Sequence, residues 1–275
     1  MIEERGDPVG LTTTVTGAEA IAAAFTGDGR RAALMPYMMG GFPDIDASRR
    51  IAEAYADGGA DLVELGIPFT DPLADGPVIQ AAGTAALRAG ATTHEVLAIG
   101  GALAERVPVV AMAYANLVLA RGLERFVDEL VSHGIAGLIV PDMPLEESDA
   151  VREACEAAGL ALVPLVAPTT PDERMARIGA QARGFLYAVS LTGTTGERAA
   201  LADTFADLVA RAKAATAVPV ALGFGIGTPE QARQAVDAGA DGVIVGSRLV
   251  RAAAEADDPA AAVHDLVTQF AAALR

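Results

Sequence analysis

Two carboxylates eleven positions apart, Glu64 and Asp75, have the types and surroundings that acid–base chemistry requires. Glu64 lies in the apolar, strand-like start of residues 62–77 (LVELGIPFTDPLADGP), where an ionised carboxylate is costly unless it is paired or protonated. Asp75 comes just before Gly76 and Pro77, where a helix is predicted to begin. Two carboxylates in such different surroundings can have pKa values far enough apart for acid–base work. The alternative is that Glu64 is a charge at a strand end that reaches water.

Three glycine-rich turns predict a site for a phosphate group. They are residues 190–196 (SLTGTTG), 223–227 (GFGIG) and 245–248 (VGSR), and helices are predicted at or just after the last two. Glycines let the backbone approach a ligand closely, and the N–H groups at a helix start attract an anion. The alternative is that these glycines only cap helices and turn the chain.

Other catalytic chemistries lack their residues. None of His94, His133 and His264 shares metal-ligand spacing with a cysteine or another histidine, so a zinc-type site is not predicted. The single lysine, Lys213, falls in a predicted helix, which disfavours a Schiff-base mechanism. There is no Gly-x-Ser-x-Gly elbow, and no dinucleotide fingerprint opens the first βα unit. Carboxylates and a phosphate site remain, and they suit cofactor-free proton transfer on a small phosphorylated molecule.

The charge balance argues against polyanionic partners. Acidic residues outnumber basic ones 36 to 20, and the resulting net charge of −16 repels nucleic acid and anionic membranes. No apolar run approaches the roughly 20 residues of a membrane span, and the acidic start MIEERGDPVG does not resemble a signal peptide. The single cysteine, Cys155, allows no disulfide within the chain. These features predict a cytoplasmic protein.

Short apolar segments alternate with amphipathic helical stretches from residue 31 onward, which is typical of an α/β fold with a parallel sheet. The eight predicted strands are residues 33–38, 62–65, 109–113, 137–140, 161–166, 185–189, 218–222 and 242–245. Segments beginning at Asp57, Ser132 and Asp237 share one plan, in which a helix ends at a glycine and a strand follows two or three residues later. Eight such units predict a single (β/α)8 TIM barrel, with an open doubly wound sheet as the alternative.

The chain is predicted to form one catalytic domain. Residues 1–17 have weak periodicity and are predicted to be a short, poorly ordered N-terminal extension, and residues 18–275 are predicted to be the barrel. Active sites of such barrels lie at the carboxyl ends of the strands. Glu64, Asp75 and the glycine-rich turns all fall at those ends.

The order of the motifs resembles one family closely. The segment ELGIPFTDPLADGPVIQ, which contains both carboxylates, is similar to the signature of the tryptophan synthase alpha-subunit family. The other segments that resemble this family are residues 36–43, 112–119 (MAYANLVL), 137–148 (GLIVPDMPLEES), 163–170 (VPLVAPTT), 190–196 and 223–227. The resemblance implies a barrel that uses no cofactor and cleaves indole-3-glycerol phosphate to indole and glyceraldehyde 3-phosphate. It also implies a pyridoxal-phosphate beta subunit as partner, in an alpha2-beta2 complex.

The resemblance implies a role for each matching residue. Glu64 would be the general acid–base catalyst that protonates indole C3, and Asp75 would accept a hydrogen bond from the indole N–H. Tyr187 would line the site near Glu64. The implied phosphate-binding residues are Gly196, Gly225, Gly246 and Ser247. The implied lid, residues 191–198, includes Thr195 and Arg198, and the implied contacts with the beta subunit are Pro68, Asp71, Asn116 and Pro144.

Departures from the family pattern leave the partner less defined than the chemistry. Met39 and Gly40 stand where many members carry threonine or alanine. Leu191 stands where some members carry arginine, and Thr194 stands where valine is usual. The family also includes relatives that act alone and release free indole. The alternatives are therefore a standalone lyase, a weakly active subunit that mainly activates a beta partner, and another phosphate-binding barrel such as a sugar-phosphate isomerase.

Overall fold

The computed structural model describes residues 15–27, 29–189, 198–223 and 225–275, with the backbone alone over 198–205. The strands are β1 Ala33–Met39, β2 Val63–Gly66, β3 Val109–Met112, β4 Gly137–Ile139, β5 Ala161–Leu162, β6 Leu165–Val166, β7 Leu186–Val189, β8 Val220–Gly223 and β9 Gly242–Val245. The helices are α1 Gly17–Phe25, α2 Ile45–Asp57, α3 Pro77–Arg88, α4 Thr93–Ala104, α5 Ala115–Ala120, α6 Leu123–Ser132, α7 Asp149–Ala157, α8 Asp172–Gln181, α9 Arg198–Ala215, α10 Pro229–Asp237, α11 Ser247–Glu255 and α12 Pro259–Ala273. A 3₁₀ helix, Leu145–Glu147, precedes α7. All strand pairs in the described sheet are parallel, in the order β5-β4-β3-β2-β1-β9-β8-β7-β6.

The sheet closes on itself through residues 161–166, which the sequence predicts as one strand and which form two. β5 pairs with β4, whereas β6 pairs with β7. Between them, the Val163 N–H donates to the Leu138 carbonyl, and the Pro164 carbonyl accepts from the Tyr187 N–H. Pro164 has no N–H with which to continue a ladder. The chain therefore passes here from one edge of the sheet to the other, and the predicted eight-strand TIM barrel is confirmed with its fifth strand divided.

Side chains alternate along the strands between the barrel interior and the layer under the helices. In β2, Val63 and Leu65 belong to the large apolar cluster between sheet and helices. Leu62, the residue just before β2, belongs to the interior cluster. Glu64 shares the interior side with Leu62, because residues two apart on a strand point the same way. Only 1% of Glu64 is exposed, so the alternative in which it reaches water at a strand end is wrong.

Helix α1 closes the amino-terminal mouth of the barrel. Thr16 accepts a hydrogen bond from the Glu19 N–H, and the Glu19 carboxylate accepts one from the Thr16 N–H, which fixes the helix start. Ile21 is fully buried in the interior cluster, and the Phe25 ring lies 5.6 Å from that of Phe185. The barrel floor under α1 is therefore apolar, whereas the loop that carries Asp75 follows the carboxyl end of β2.

The start of α1 bears on the predicted extension. The helix begins at Gly17, the last residue assigned to that extension, and the Gly17 N–H donates to the Gly159 carbonyl at 2.8 Å. Residues 1–14 lie outside the described residues, so the extension itself stays a prediction. Within the described ranges, no helix combines the length and the apolar character that crossing a bilayer needs.

Three helices that follow β2, β8 and β9 begin where the sequence predicts them. α3 starts at Pro77 with Gly76 as its N-cap, and α11 starts at Ser247 with Gly246 as its N-cap. α10 starts at Pro229 after a Thr228 N-cap. These starts place the loops after β2, β8 and β9 at one end of the barrel.

Candidate active site

Glu64 occupies the middle of β2 and faces the barrel interior. Its register partners are Tyr37 on β1 and Val110 on β3. Its Oε2 atom is buried and has no hydrogen-bond partner among the residues that the structure describes. Burial, together with the negative charge of Asp75, raises the pKa of Glu64 to about 8, against a hydrogen bond from Tyr187 that lowers it. Glu64 is therefore mostly protonated at neutral pH.

Asp75 lies on the loop between β2 and α3 and is half-buried. The Gln80 side-chain amide donates to the Asp75 backbone carbonyl at 2.8 Å and holds the end of this loop. Burial raises the pKa of Asp75 to about 6, although a hydrogen bond with Tyr114 lowers it. Asp75 is therefore mostly ionised at neutral pH, while Glu64 is not. One end of the barrel thus combines a proton donor with a fixed anion.

Tyr114 supports Asp75 and is a residue that the sequence reasoning did not single out. Its hydroxyl accepts a hydrogen bond from the Ala74 N–H at 3.0 Å and also bonds the Asp75 carboxylate. Its ring stacks on Phe69, with centroids 5.2 Å apart and planes 25° apart. Tyr114 lies in the segment MAYANLVL, where nothing local indicates a partner forty positions away.

Tyr187 lies on β7 and faces Glu64, as the family resemblance implies. Burial raises the pKa of its hydroxyl, and the neighbouring Glu64 charge adds to that effect, so the hydroxyl remains a donor. A Cβ atom at Gly223 would lie 2.6 Å from the Tyr187 ring. Glycine at the end of β8 therefore makes room for this ring.

Tyr37 is a second residue that the sequence reasoning missed. Its hydroxyl is buried and has no hydrogen-bond partner among the described residues. The ring reaches Gly66 so closely that any Cβ atom there would collide with the hydroxyl. The sequence signal was the two-residue alternation along the predicted first strand, which puts Tyr37 on the same side as Met35, a member of the interior cluster. The register that sets Tyr37 opposite Glu64 is visible only in the structure.

The predicted phosphate-binding residues fall on neighbouring loops. β8 and β9 are adjacent in the sheet, so the loops that follow them meet at the same end of the barrel. Gly225 has a φ of 81°, a conformation that glycine adopts readily, and Gly246 and Ser247 form the start of α11. Gly196 lies outside the described residues. The structure thus brings together three of the four residues on two adjoining turns.

The remaining predicted site residues divide into three groups. Thr195 lies outside the described residues, and Arg198 is described only as the first backbone position of α9. Asp71, Asn116 and Pro144 are exposed. Pro68 is buried within this chain and offers little surface to a partner, and its assignment as a contact stays a prediction.

Comparison with known proteins decides the family. The family model described as tryptophan synthase alpha chain matches residues 25–274. The chain belongs to the tryptophan synthase alpha chain family. The alpha chain of Prochlorococcus marinus strain MIT 9313 is 50% identical over 230 residues, which cover 82% of this chain and 83% of that one.

Solved structures give the same family and the same fold. Tryptophan synthase from Mycobacterium tuberculosis is 36% identical with a TM-score of 0.86, over 95% of this chain and 99% of that one. The alpha subunit from Legionella pneumophila is 33% identical with a TM-score of 0.86, over the same shares. As a tryptophan synthase alpha chain, the protein is a lyase of tryptophan biosynthesis that cleaves indole-3-glycerol phosphate. The alternatives of a sugar-phosphate isomerase and of an open doubly wound sheet are wrong.

Proposed function

We propose that Glu64 and Asp75 carry out the cleavage of indole-3-glycerol phosphate without a cofactor. The observation that carries this assignment is the pair of protonation states, with the pKa of Glu64 near 8 beside that of Asp75 near 6. Breaking the bond between indole C3 and the glycerol chain needs a proton at C3 and a base for the hydroxyl on the adjoining carbon. A single carboxyl that first gives and then takes a proton meets both needs.

The proton balance closes on Glu64. Its carboxyl donates a proton to indole C3, which leaves a carboxylate and a positively charged indolenine ring. The carboxylate then removes the proton of the glycerol hydroxyl, the carbon–carbon bond breaks, and its electron pair returns to the ring. Indole and glyceraldehyde 3-phosphate leave, and Glu64 is protonated again. The Oε2 atom, which has no partner among the described residues, supports this role, because it is placed to meet the substrate.

Asp75 stabilises the positive charge that develops on the ring. An anion fixed beside a forming cation lowers the barrier most when it needs no reorganisation. Tyr114 and Gln80 provide that fixation by bonding the carboxylate and the backbone of Asp75. Because Asp75 is ionised before the reaction starts, its charge is in place throughout.

The phosphate group is held by amides at the loops after β8 and β9. Gly225, Gly246 and Ser247 lie there, and Ser247 opens a nine-residue helix whose first N–H groups favour an anion. Gly196 is proposed as a fourth contact, and Thr195 and Arg198 as parts of a lid over the site. Binding through oriented amides suits a protein whose net charge of −16 opposes anions at a distance.

A tryptophan synthase beta subunit is the proposed partner, in an alpha2-beta2 complex. Members of the tryptophan synthase alpha chain family work with a beta chain. Asp71, Asn116 and Pro144 are exposed, and so are Leu73 and Leu119, at 82% and 58%. Leu73 and Asp71 lie on the same loop as Asp75, so a partner bound there would touch the segment that holds the catalytic anion.

The decisive experiment measures indole release from indole-3-glycerol phosphate by the purified chain, alone and with a beta subunit. We expect slow release alone and a large increase on adding the partner. The matched variant is Glu64→Gln, which keeps the shape of the side chain and removes the proton-transfer group. It should still bind substrate but release no indole.

Each other outcome is informative. Fast release that the beta subunit does not change would identify a standalone lyase and contradict the proposed complex. Near-normal turnover by Glu64→Gln would contradict the proposed mechanism. No release by the wild-type chain under either condition, combined with activation of the beta subunit, would identify a subunit kept mainly for activation.

A further inference from the structure

The hydroxyl of Tyr37 is a buried donor that no described residue partners. The side chain is 4% exposed, and Oη bonds no group among the residues that the structure describes. Buried hydroxyls in folded proteins nearly always find a partner, and one that does not calls for an explanation. A second orphan, Oε2 of Glu64, lies on the neighbouring strand at the register position opposite Tyr37. Two unpaired polar atoms on one face of the barrel point to a ligand that bonds both.

The position of the Tyr37 ring links the two halves of the proposed site. At its base, a Cβ atom built on Gly246 would lie 3.6 Å from the Tyr37 Cβ atom, next to the turn proposed to hold phosphate. At its tip, the hydroxyl contacts Gly66, two residues beyond Glu64 on the same side of β2. The phenol therefore extends from the turn at Gly246 to the end of β2, two residues beyond Glu64. A glycerol chain that joins a phosphate at this turn to a carbon at Glu64 would pass along the same side of the barrel.

We propose that Tyr37 contacts the substrate, its hydroxyl donating a hydrogen bond to an oxygen of the glycerol chain. This inference rests on the proposed function, because it assumes that the substrate lies between Glu64 and the phosphate turn. The contact holds the chain so that the hydroxyl that loses its proton faces the Glu64 carboxylate. Orientation of this kind raises the rate by removing unproductive poses.

The electrical surroundings keep Tyr37 a donor. Burial raises the pKa of its hydroxyl, and the charges of Asp75 and Glu64 add to the effect, so the phenol stays protonated. Asp75 and Glu64 are also the acceptors most attractive to this hydroxyl, and the structure shows no hydrogen bond to either from Tyr37. The donor is left for a group that enters the site.

Tyr55 provides a matched control. It lies on α2 and is also buried, but its hydroxyl donates to the Tyr37 carbonyl at 3.0 Å and so has its partner within the fold. Tyr37→Phe and Tyr55→Phe each remove one oxygen from a buried tyrosine. Tyr37→Phe removes a hydroxyl that no described residue partners, so it should lower catalysis without lowering stability. Tyr55→Phe removes a paired hydroxyl, so it should lower stability without lowering catalysis.

The experiment compares both variants with the wild-type chain on three readouts. These are kcat/KM for indole-3-glycerol phosphate, the inhibition constant of an analogue whose three-carbon chain carries phosphate but no hydroxyls, and Tm. For Tyr37→Phe we expect kcat/KM to fall about tenfold, binding of the analogue to stay within about twofold, and Tm to stay constant or rise. For Tyr55→Phe we expect a Tm about 2 °C lower and kcat/KM within about twofold of wild type.

Two results for Tyr37→Phe would overturn the inference. One is an unchanged kcat/KM, and the other is equal weakening of substrate and hydroxyl-free analogue, which would mean a packing role. A wild-type chain that releases no indole would be a different result. It would contradict the proposed function itself, and with it this inference.

Discussion

Glu64 and Asp75 carry the same functional group in two different surroundings. Glu64 is enclosed by the barrel interior, and a hydrogen bond from Tyr187 only partly offsets the effect of burial on its pKa. Asp75 stays partly exposed on a loop and is bonded by Tyr114. The surroundings of Glu64 favour the neutral acid, whereas those of Asp75 allow it to be ionised near neutral pH. The difference in role therefore follows from burial and neighbours rather than from residue type.

At this scale we predict a bell-shaped dependence of kcat/KM on pH. The rate should fall below pH 6, where Asp75 becomes neutral, and above pH 8, where Glu64 loses the proton it must donate. Steady-state kinetics of indole release from pH 5 to about 9.5 measure the profile.

Asp75→Asn serves as the control for this profile. It removes the charge that helps raise the pKa of Glu64, so the alkaline limb of the residual activity should move to lower pH. The substrate phosphate titrates alike with both proteins, so it cannot produce such a shift. An alkaline limb that stays in place or moves upward would contradict the pairing of these two carboxyls.

At the scale of the elements, hydrophobic pattern located the strands but not the contacts across them. The predicted strand 33–38 differs from β1 by one residue, and the predicted strand 242–245 matches β9. The division of 161–166 was missed, although Pro164 was visible, because the consequence depends on two ladders that meet there. Tyr114 was missed for the same reason, since its partner Asp75 comes from a distant part of the chain.

Helix α1 shows how much an element outside the eight βα units contributes. Ile21 is fully buried among strand residues at the barrel floor. We predict that Ile21→Ala lowers the free energy of unfolding by about 2–5 kcal/mol, and that Ile21→Val lowers it by about 0.5–1.5 kcal/mol. Urea unfolding measures both values. Because this floor is at the opposite end from Glu64, the folded variants should keep kcat/KM. If Ile21→Ala lowers the free energy of unfolding by less than about 0.5 kcal/mol, α1 is not part of the core.

On the scale of the whole molecule, local and global electrostatics act in opposite directions. The net charge of −16 repels an anionic substrate as it approaches, while the helix start at Ser247 attracts its phosphate at contact. Salt shortens the reach of the first effect to about 10 Å at 0.1 M ionic strength. Contact interactions within the barrel are screened much less.

We therefore predict that kcat/KM increases when sodium chloride is raised from about 10 mM to about 150 mM, by less than about tenfold. Inhibition by uncharged indole should not change over this range and serves as the control. Sulfate and phosphate salts are avoided because they compete for the same turn. A decrease in kcat/KM with sodium chloride would show that attraction from local positive charge outweighs the field of the whole chain.

The divided fifth strand gives the barrel a seam. Elsewhere a closed sheet holds each strand on both sides, but β5 and β6 contribute two residues each, and Pro164 supplies no amide between them. A cavity of about 190 Å³ lies behind this point, lined in part by Leu162, Pro164 and Leu165. We therefore expect local opening of the sheet to begin at this seam. In hydrogen exchange, the Val163 amide, which donates to the Leu138 carbonyl, and the Val166 amide should lose protection before the amides in the middle of β1.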